Sequence, residues 1–394
     1  MTYPGTDPKR LLHRILTVPV ALESVPGWII LLVLVALATC VGLVWRSTLP
    51  LGISTTGWLS FALLDWGLLT GLPRTRRSFG PIHPSLLALA ILRAVLATLL
   101  QSAGSVWLAL SAMAALTGLV WYTTWVEPFQ IRVTERKLAF SQWSPDTPPL
   151  RLLHLSDLHL ERKGLREERL NDLMAELCPD LICFSGDILS LSHNLDPRAI
   201  ADARAVIGRW RAPLGVYAVT GSPLVDVPEA AASVLEGLPH LRWLCDESVI
   251  LNPNGRPLAL VGLSCSHNPA ADGRNLTAAL AKVPPDTPVI LIYHSPDLAP
   301  YAARSRVDLQ LSGHTHGGQI RAPFFGAIVT SSVYGKRFEM GCYKLRRAGA
   351  QPLTLYVSRG IGVEGGIAPR ARFLCRPEIT LWTLGAATEP APRA

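Results

Sequence analysis

Leu155-Ser156-Asp157-Leu158-His159 ends an apolar run in an acid and an imidazole; Ser185-Gly186-Asp187 and Ser312-Gly313-His314-Thr315-His316 do the same further along the chain. The runs that lead into them, Leu152-His154, Leu181-Ser185 and Leu309-Ser312, are short and apolar enough to be buried strands. Each block therefore puts its carboxylate or imidazole groups at the carboxyl edge of a sheet, where open α/β folds build their sites. Asp and His together are ligands for divalent ions of intermediate hardness. Three such blocks in one chain point to a two-metal hydrolytic site.

Around these blocks, from Arg151 onward, strands alternate with helices. Val216-Thr220, Leu258-Leu263, Val289-Tyr293, Leu353-Ser358 and Ile379-Leu384 read as further strands. Leu165-Leu177, Pro197-Arg211, Pro228-Leu235 and Arg274-Ala281 read as the helices between them. Such alternation gives a layered α/β architecture with helices outside and sheet within. No internal repeat interrupts it, and the Ala/Pro-rich stretch 386–394 is expected to be a disordered tail.

The first third of the chain has a different composition. Over 394 residues only 17% are charged, and mean hydropathy is positive; the apolar excess lies before about residue 128. Trp28 to Trp45 is an uncharged run close to the roughly 20 residues that cross a bilayer. Leu51 to Leu72, Pro84 to Leu100 and Val106 to Val126 are three further candidate spans. The second and third candidates carry Asp65 and Arg93, each costing roughly 2.5–3.5 kcal/mol on insertion scales. If these two spans form a hairpin about Arg74, Arg76 and Arg77, the charges lie about 11 and about 14 Å from its turn at ~1.5 Å per residue. That predicts an ion pair of structural purpose. The organisation expected is an N-terminal segment 1–26, a membrane domain 27–127 of about four helices, a linker 128–149 and a catalytic domain 150–385.

Lys9, Arg10 and Arg14 precede the first span, and three arginines separate the second from the third. The other two connections carry Arg46 alone and no Lys or Arg. The positive-inside rule then puts both ends in the cytoplasm. A formal charge of +8 suits an anionic lipid surface or phosphorylated ligands. No nucleic-acid-binding motif is present, so nucleic acid is not an expected partner. Seven cysteines without a CxxC pair argue against a disulfide framework or zinc ribbon and fit a reducing compartment.

With Leu-Ser-Asp-Leu-His at 155–159 and Gly-His-Thr-His-Gly-Gly-Gln at 313–319, the chain resembles the calcineurin-like metallophosphoesterases, in particular their membrane-associated bacterial branch. The resemblance covers about residues 150–385. It implies a four-layer αββα sandwich, here preceded by a bundle of transmembrane helices, in a multi-pass protein of a bacterial-type inner membrane with its catalytic domain facing the cytoplasm. It also implies two divalent ions, Mn, Fe or Zn. Asp157, His159, Asp187 and His316 would hold the first; Asp187 would bridge to a second that also takes His294 and His314. Asp187 and His314 would be the catalytic pair. Arg359, after a late strand, reads either as a phosphate contact, since a guanidinium matches two oxygens at once, or as an ordinary surface salt bridge. His154, His193 and His240 lie off the motif positions and read as packing or surface histidines.

One block departs from the family pattern. Where Gly-Asn-His is expected, the chain reads Gly221-Ser222-Pro223-Leu224. Ser222 stands at a metal-ligand position with a shorter reach than an amide and no carbonyl dipole. Pro223 removes an imidazole whose proton transfer is typically worth 10²–10⁴-fold in rate. His267, after a probable strand, and Asp226, near the altered loop, are candidate substitutes, with an ordinary loop histidine the plainer reading of His267. The resemblance implies direct hydrolysis of a phosphodiester or pyrophosphate by a metal-activated water, and the membrane segment favours lipid-linked substrates. A metal- or phospholipid-binding sensor or assembly protein without catalysis is the competing reading.

Overall fold

The structure, a computed structural model, describes residues 18–146, 148–347, 350–365 and 368–386. Lys9, Arg10, Arg14 and the tail from residue 387 fall outside the described residues. The chain divides into two compact units, one ending at Phe129 and also holding Glu364–Arg372, the other comprising the remainder.

The first unit contains four long helices: α1 (Gly27–Trp45), α2 (Leu51–Arg74), α3 (Ile82–Gln101) and α4 (Val106–Trp121). Among the described residues, α1, α3 and the segment Val106–Phe129 are long and apolar enough to cross a membrane, so this is a membrane protein. Helix α2 is long enough but carries Ser54, Thr55, Thr56, Ser60, Asp65 and Thr70. The Ser60 and Thr70 hydroxyls donate back to the carbonyls of Thr56 and Trp66 within the helix, which lowers the cost of placing them in an apolar medium.

Asp65 and Arg93 meet as the sequence predicts. Arg93 donates from Nε and Nη2 to the two carboxylate oxygens of Asp65 at 2.6 and 2.8 Å. Its Nη1 and Nη2 also reach the Met113 carbonyl at 3.0 Å and Thr117 Oγ1 at 2.7 Å. Both side chains are fully buried, and every contact needed to keep two charges out of water is protein.

The second unit is built from strands in two sheets. Strands β1 (Arg132–Phe140), β2 (Leu150–Leu155), β3 (Leu181–Phe184), β4 (Val216–Ala218) and β5 (Leu241–Trp243) come first, followed by β6 (Glu247–Leu251), β7 (Leu258–Gly262), β8 (Val289–Ile292) and β9 (Leu309–Ser312). A small hairpin, β10 (Arg321–Ala322) and β11 (Gly326–Ala327), precedes β12 (Gly341–Arg347), β13 (Ala350–Val357) and β14 (Glu378–Ala386). One sheet runs β1-β14-β2-β3-β4-β5 and the other β12-β13-β9-β8-β7-β6.

Alternation along each strand makes the layers. In β2, Leu153 and Leu155 join a core with the helices over the first sheet, whereas Leu150 and Leu152 join the core between the sheets. In β8, Val289 and Leu291 face the helices on the far side while Ile290 and Ile292 face inward. Strands buried on both faces read as unbroken apolar runs, and the product is the expected helix-sheet-sheet-helix stack. Residues 128–149 are a correction: the expected linker contains β1, an edge strand paired with β14 along its whole length. Its Arg132, Glu135, Arg136 and Lys137 disguise it, and an edge strand tolerates that charge because one of its sides stays unpaired.

Candidate metal centre

Strands β2, β3, β8 and β9 pair side by side in their two sheets, and their carboxyl ends carry the acid and histidine blocks. The six side chains named from the sequence gather into two triads, Asp157-His159-His316 and Asp187-His294-His314, each with its ligand atoms within 4.8 Å of one another. Asp187 joins them: its Oδ2 lies 3.4 Å from His159 Nε2 and 3.2 Å from His294 Nε2. A carboxylate between two triads is placed to be shared by two ions.

Backbone geometry aims these groups. Asp157, His159, Asp187, His314 and His316 all have φ between +39° and +71°, a region costly for residues with a Cβ and characteristic of functional sites. The strained turns are tied to each other: Asp157 N–H donates to the Gly186 carbonyl at 2.9 Å, His159 N–H to the Asp187 carbonyl at 3.1 Å, and His314 N–H to Asp157 Oδ1 at 2.9 Å. Two glycines make the approach possible. A Cβ on Gly313 would sit 1.8 Å from Ser156 Oγ and 2.1 Å from Asp157 Oδ2, and one on Gly221 would sit 2.1 Å from Asp187 Oδ1.

The donor set fits divalent cations. His159 Nε2 and His316 Nε2 converge to 3.0 Å, and Asp157 Oδ2 is buried with no hydrogen-bond partner among the described residues. Nitrogen lone pairs and a bare carboxylate oxygen facing one point call for positive charge there. The titration of the cage says the same. Burial opposes a proton on His294, yet the Asp187 charge and hydrogen bond, with Asp157 and the Ser185 carbonyl, raise its pKa to about 9. Burial likewise pulls the Asp187 pKa up, but His294, His159 and His314 drive it well below the carboxylate range. His314 is lowered to about 3 by burial and by the neighbouring His294 and His267. His294 Nδ1 is 2.9 Å from the Ser185 carbonyl, so Nδ1 carries the hydrogen and Nε2 is turned to the cage.

Ser222 enters the same space. Its Oγ lies 3.2 Å from His294 Nε2, 3.4 Å from His314 Nδ1 and 3.4 Å from Asp187 Oδ2, and its N–H donates to Asp187 Oδ1 at 2.6 Å. Asp226 acts behind it: its carboxylate accepts from the N–H groups of Asp187, Ile188 and Gly221 at 2.9, 2.8 and 2.7 Å. This clamp pins the Asp187 turn to the Ser222 loop. The sequence signal for it was only an acid four residues beyond Ser222, ahead of a helix.

His267 is in the cage wall, its ring 4.7 Å from that of His314. Asp272 fixes its loop by accepting from Ser266 N–H, Ser266 Oγ and Tyr293 Oη at 3.0, 2.6 and 2.5 Å. Its left-handed backbone, φ +58°, is the property it shares with five of the six ligand residues. Arg359 is engaged by Glu378, to which its Nε and Nη2 donate at 3.2 and 2.9 Å. His154 is fully buried and 3.0 Å from Ser185 Oγ, neutral because burial lowers its pKa to about 3. His193 pairs with Ser192.

Fold and donor set together define a layered α/β hydrolase built around a divalent-cation site. No protein-family model matches the chain. It is 30% identical over 274 residues to the uncharacterized metallophosphoesterase YkuE of Bacillus subtilis, covering 67% of this chain and 88% of that protein. It is 28% identical over 271 residues to the phosphodiesterase YaeI of Escherichia coli, covering 67% and 92%. Against the UDP-2,3-diacylglucosamine pyrophosphatase LpxG of Chlamydia muridarum it is 24% identical over 325 residues, covering 69% and 95%. The chain belongs to the metallophosphoesterases of the calcineurin-like superfamily.

Proposed function

We propose that this chain is a membrane-anchored phosphoesterase that hydrolyses a phosphodiester or pyrophosphate bond in a lipid-linked substrate, with two divalent ions, Mn, Fe or Zn, at the cage. The observation that carries the reading is the position of Asp187 Oδ2 between His159 and His294. Asp157, His159 and His316 would hold one ion, His294 and His314 the other, with Asp187 shared and Ser222 Oγ lending an oxygen to the second. Bound ions would supply Lewis acidity to a phosphoryl oxygen and to the attacking water.

The chain's own groups do the rest. The Asp226 clamp and the Ser222 N–H keep the Asp187 carboxylate from swinging, and the Ser185 carbonyl fixes the His294 tautomer. Proline at 223 has no proton to give, and His267, its ring 4.7 Å from that of His314, would be the imidazole that protonates the departing oxygen in its stead. A lipid-linked substrate agrees with the apolar helices and with the activity named for LpxG. The basic residues around the helices favour a cytoplasmic catalytic unit.

The test is metal content and bis(p-nitrophenyl) phosphate hydrolysis by the full chain in detergent, natural against Asp187→Ala. About two ions per chain and turnover abolished in the variant are expected. Ser222 and Pro223 favour a second reading, a metal-binding protein without catalysis. Turnover absent in the natural protein but present in Ser222→Asn/Pro223→His would establish that one instead.

A further inference from the structure

The polypeptide that leaves the cage after His316 does not return directly to the sheet. It forms the β10–β11 hairpin and then a loop to Phe338, and along this path large apolar side chains are turned to solvent. Phe324 is fully exposed, and Phe325, Ile328, Val329 and Val333 are 63%, 57%, 72% and 77% exposed. Five such side chains within ten residues exceed what a soluble surface ordinarily shows. Phe324 sits at the tip with φ +64°, a strained conformation for a bulky residue, held by the Phe325 N–H bonding the Pro323 carbonyl.

Charge follows the same path. From Ile320 to Phe338 there is no Asp or Glu, whereas Arg321, Lys336 and Arg337 are basic. Lys336 and Arg337 are exposed, and Lys336 Nζ donates to the Phe325 carbonyl at 2.8 Å. The aromatic tip and the cation therefore sit together. Apolar side chains flanked by Lys and Arg are the composition that enters the boundary of an anionic bilayer.

The segment is fastened to the metal centre at both ends. Arg321 donates to the Gly317 carbonyl at 2.8 Å and to Glu339 Oε1 at 2.8 Å, while Glu339 also accepts from the Ala327 N–H. The Glu339 carbonyl accepts from Thr315 Oγ1 at 2.7 Å, between the two cage histidines. At the other end the Ser331 carbonyl bonds the His314 imidazole, and Ser332 Oγ and the Val333 N–H both donate to Asp297.

We propose that residues 320–338 form an interfacial loop that inserts Phe324, Phe325, Ile328, Val329 and Val333 into an anionic lipid surface and so presents lipid phosphates to the cage. The substrate half of this statement rests on the phosphoesterase reading above; the insertion does not. Membrane helices in the same chain keep such a surface at hand, and rigid ties to Gly317 and His314 register the inserted tip with the cations' ligands.

Two measurements on the full chain in phosphatidylglycerol-containing proteoliposomes test it. With Phe324→p-benzoylphenylalanine, illumination is expected to give a phospholipid adduct that Lys336→Glu/Arg337→Glu reduces severalfold. An adduct only to a second protein chain, or none to lipid, overturns the proposal. With Phe324→Ser/Phe325→Ser/Val329→Ser/Val333→Ser, soluble bis(p-nitrophenyl) phosphate should be hydrolysed within about twofold of the natural rate. The KM for a vesicle-borne phosphodiester should rise at least tenfold; equal KM values overturn the proposal. A natural protein that hydrolyses neither substrate refutes the phosphoesterase reading alone, and the photoadduct still decides whether the loop inserts.

Discussion

Gly221 offers the sharpest test of the cage, because it has no conformational peculiarity and only one reason to be glycine. A Cβ there would lie 2.1 Å from Asp187 Oδ1, 2.4 Å from the Asp187 backbone nitrogen and 2.8 Å from its Cγ. Gly221→Ala must therefore push the carboxylate by more than 1 Å to reach van der Waals contact. The carboxylate cannot simply rotate away, since the Ser222 N–H holds Oδ1 and the Asp226 clamp holds the backbone. Displacement on that scale costs about 10²-fold in rate where geometry is catalytic, and overpacking costs about 1–3 kcal/mol of stability, a fall of about 2–12 °C in the unfolding midpoint for a unit of this size. The assay is bis(p-nitrophenyl) phosphate hydrolysis with metal analysis and thermal unfolding on the same preparation. Gly385→Ala, whose Cβ meets nothing within 4 Å, is the control and should match the natural protein. If Gly221→Ala keeps both its ions and a rate within threefold, Asp187 is not the shared ligand and the reasoning fails.

Three further outcomes are expected. Arg93→Met alone should destabilise the membrane unit by about 3–5 kcal/mol by leaving the Asp65 carboxylate buried and unpaired; adding Asp65→Leu should recover most of that loss, and additive single effects in detergent unfolding would show that the pair is not coupled. In chelator, His294, whose pKa of about 9 lies above its unfolded value, contributes stability that is full below about pH 6.5 and is lost as pH rises through about 9. The unfolding midpoint of the metal-stripped protein should accordingly fall across that window, and a flat profile would contradict the anionic field assigned to Asp187 and Asp157. His267→Gln should leave metal content unchanged and slow an alkyl phosphodiester by about 10²-fold, while slowing a p-nitrophenyl ester much less because that leaving group needs no proton; equal losses on both would make His267 merely structural.

Much of this was legible from residue order because buried strands advertise themselves. Each of the eight apolar runs of the catalytic unit falls on a strand, though five of them run one or two residues past its end, since a strand covered on both faces has no polar positions to confuse the pattern. Leu165–Leu177 and Pro228–Leu235 are helices at the expected bounds. Strands β1, β6 and β12 went unread for the opposite reason: each lies at a sheet edge, where charged residues such as Arg136, Glu247 and Lys344 carry no penalty. The Asp65–Arg93 pair could be foreseen because a membrane leaves two opposite charges at similar depth few other partners.

The six cage residues were readable for a related reason, since each lies two to four residues beyond a strand end within a short Asp/His block. His267 and Asp226 lie five and eight residues beyond β7 and β4 and outside any such block, in loops whose course depends on tertiary contacts. Only the folded chain shows that Asp272 ties down Ser266 beside His267, whose ring lies against that of His314, or that Asp226 reaches back to the Asp187 N–H. With the hydroxyl of Ser222 kept within 3.4 Å of Asp187, His294 and His314, an oxygen donor remains beside the second triad. Should His267 supply the proton that Pro223 cannot, its source would be the loop after β7, which the comparison of alkyl and p-nitrophenyl esters tests.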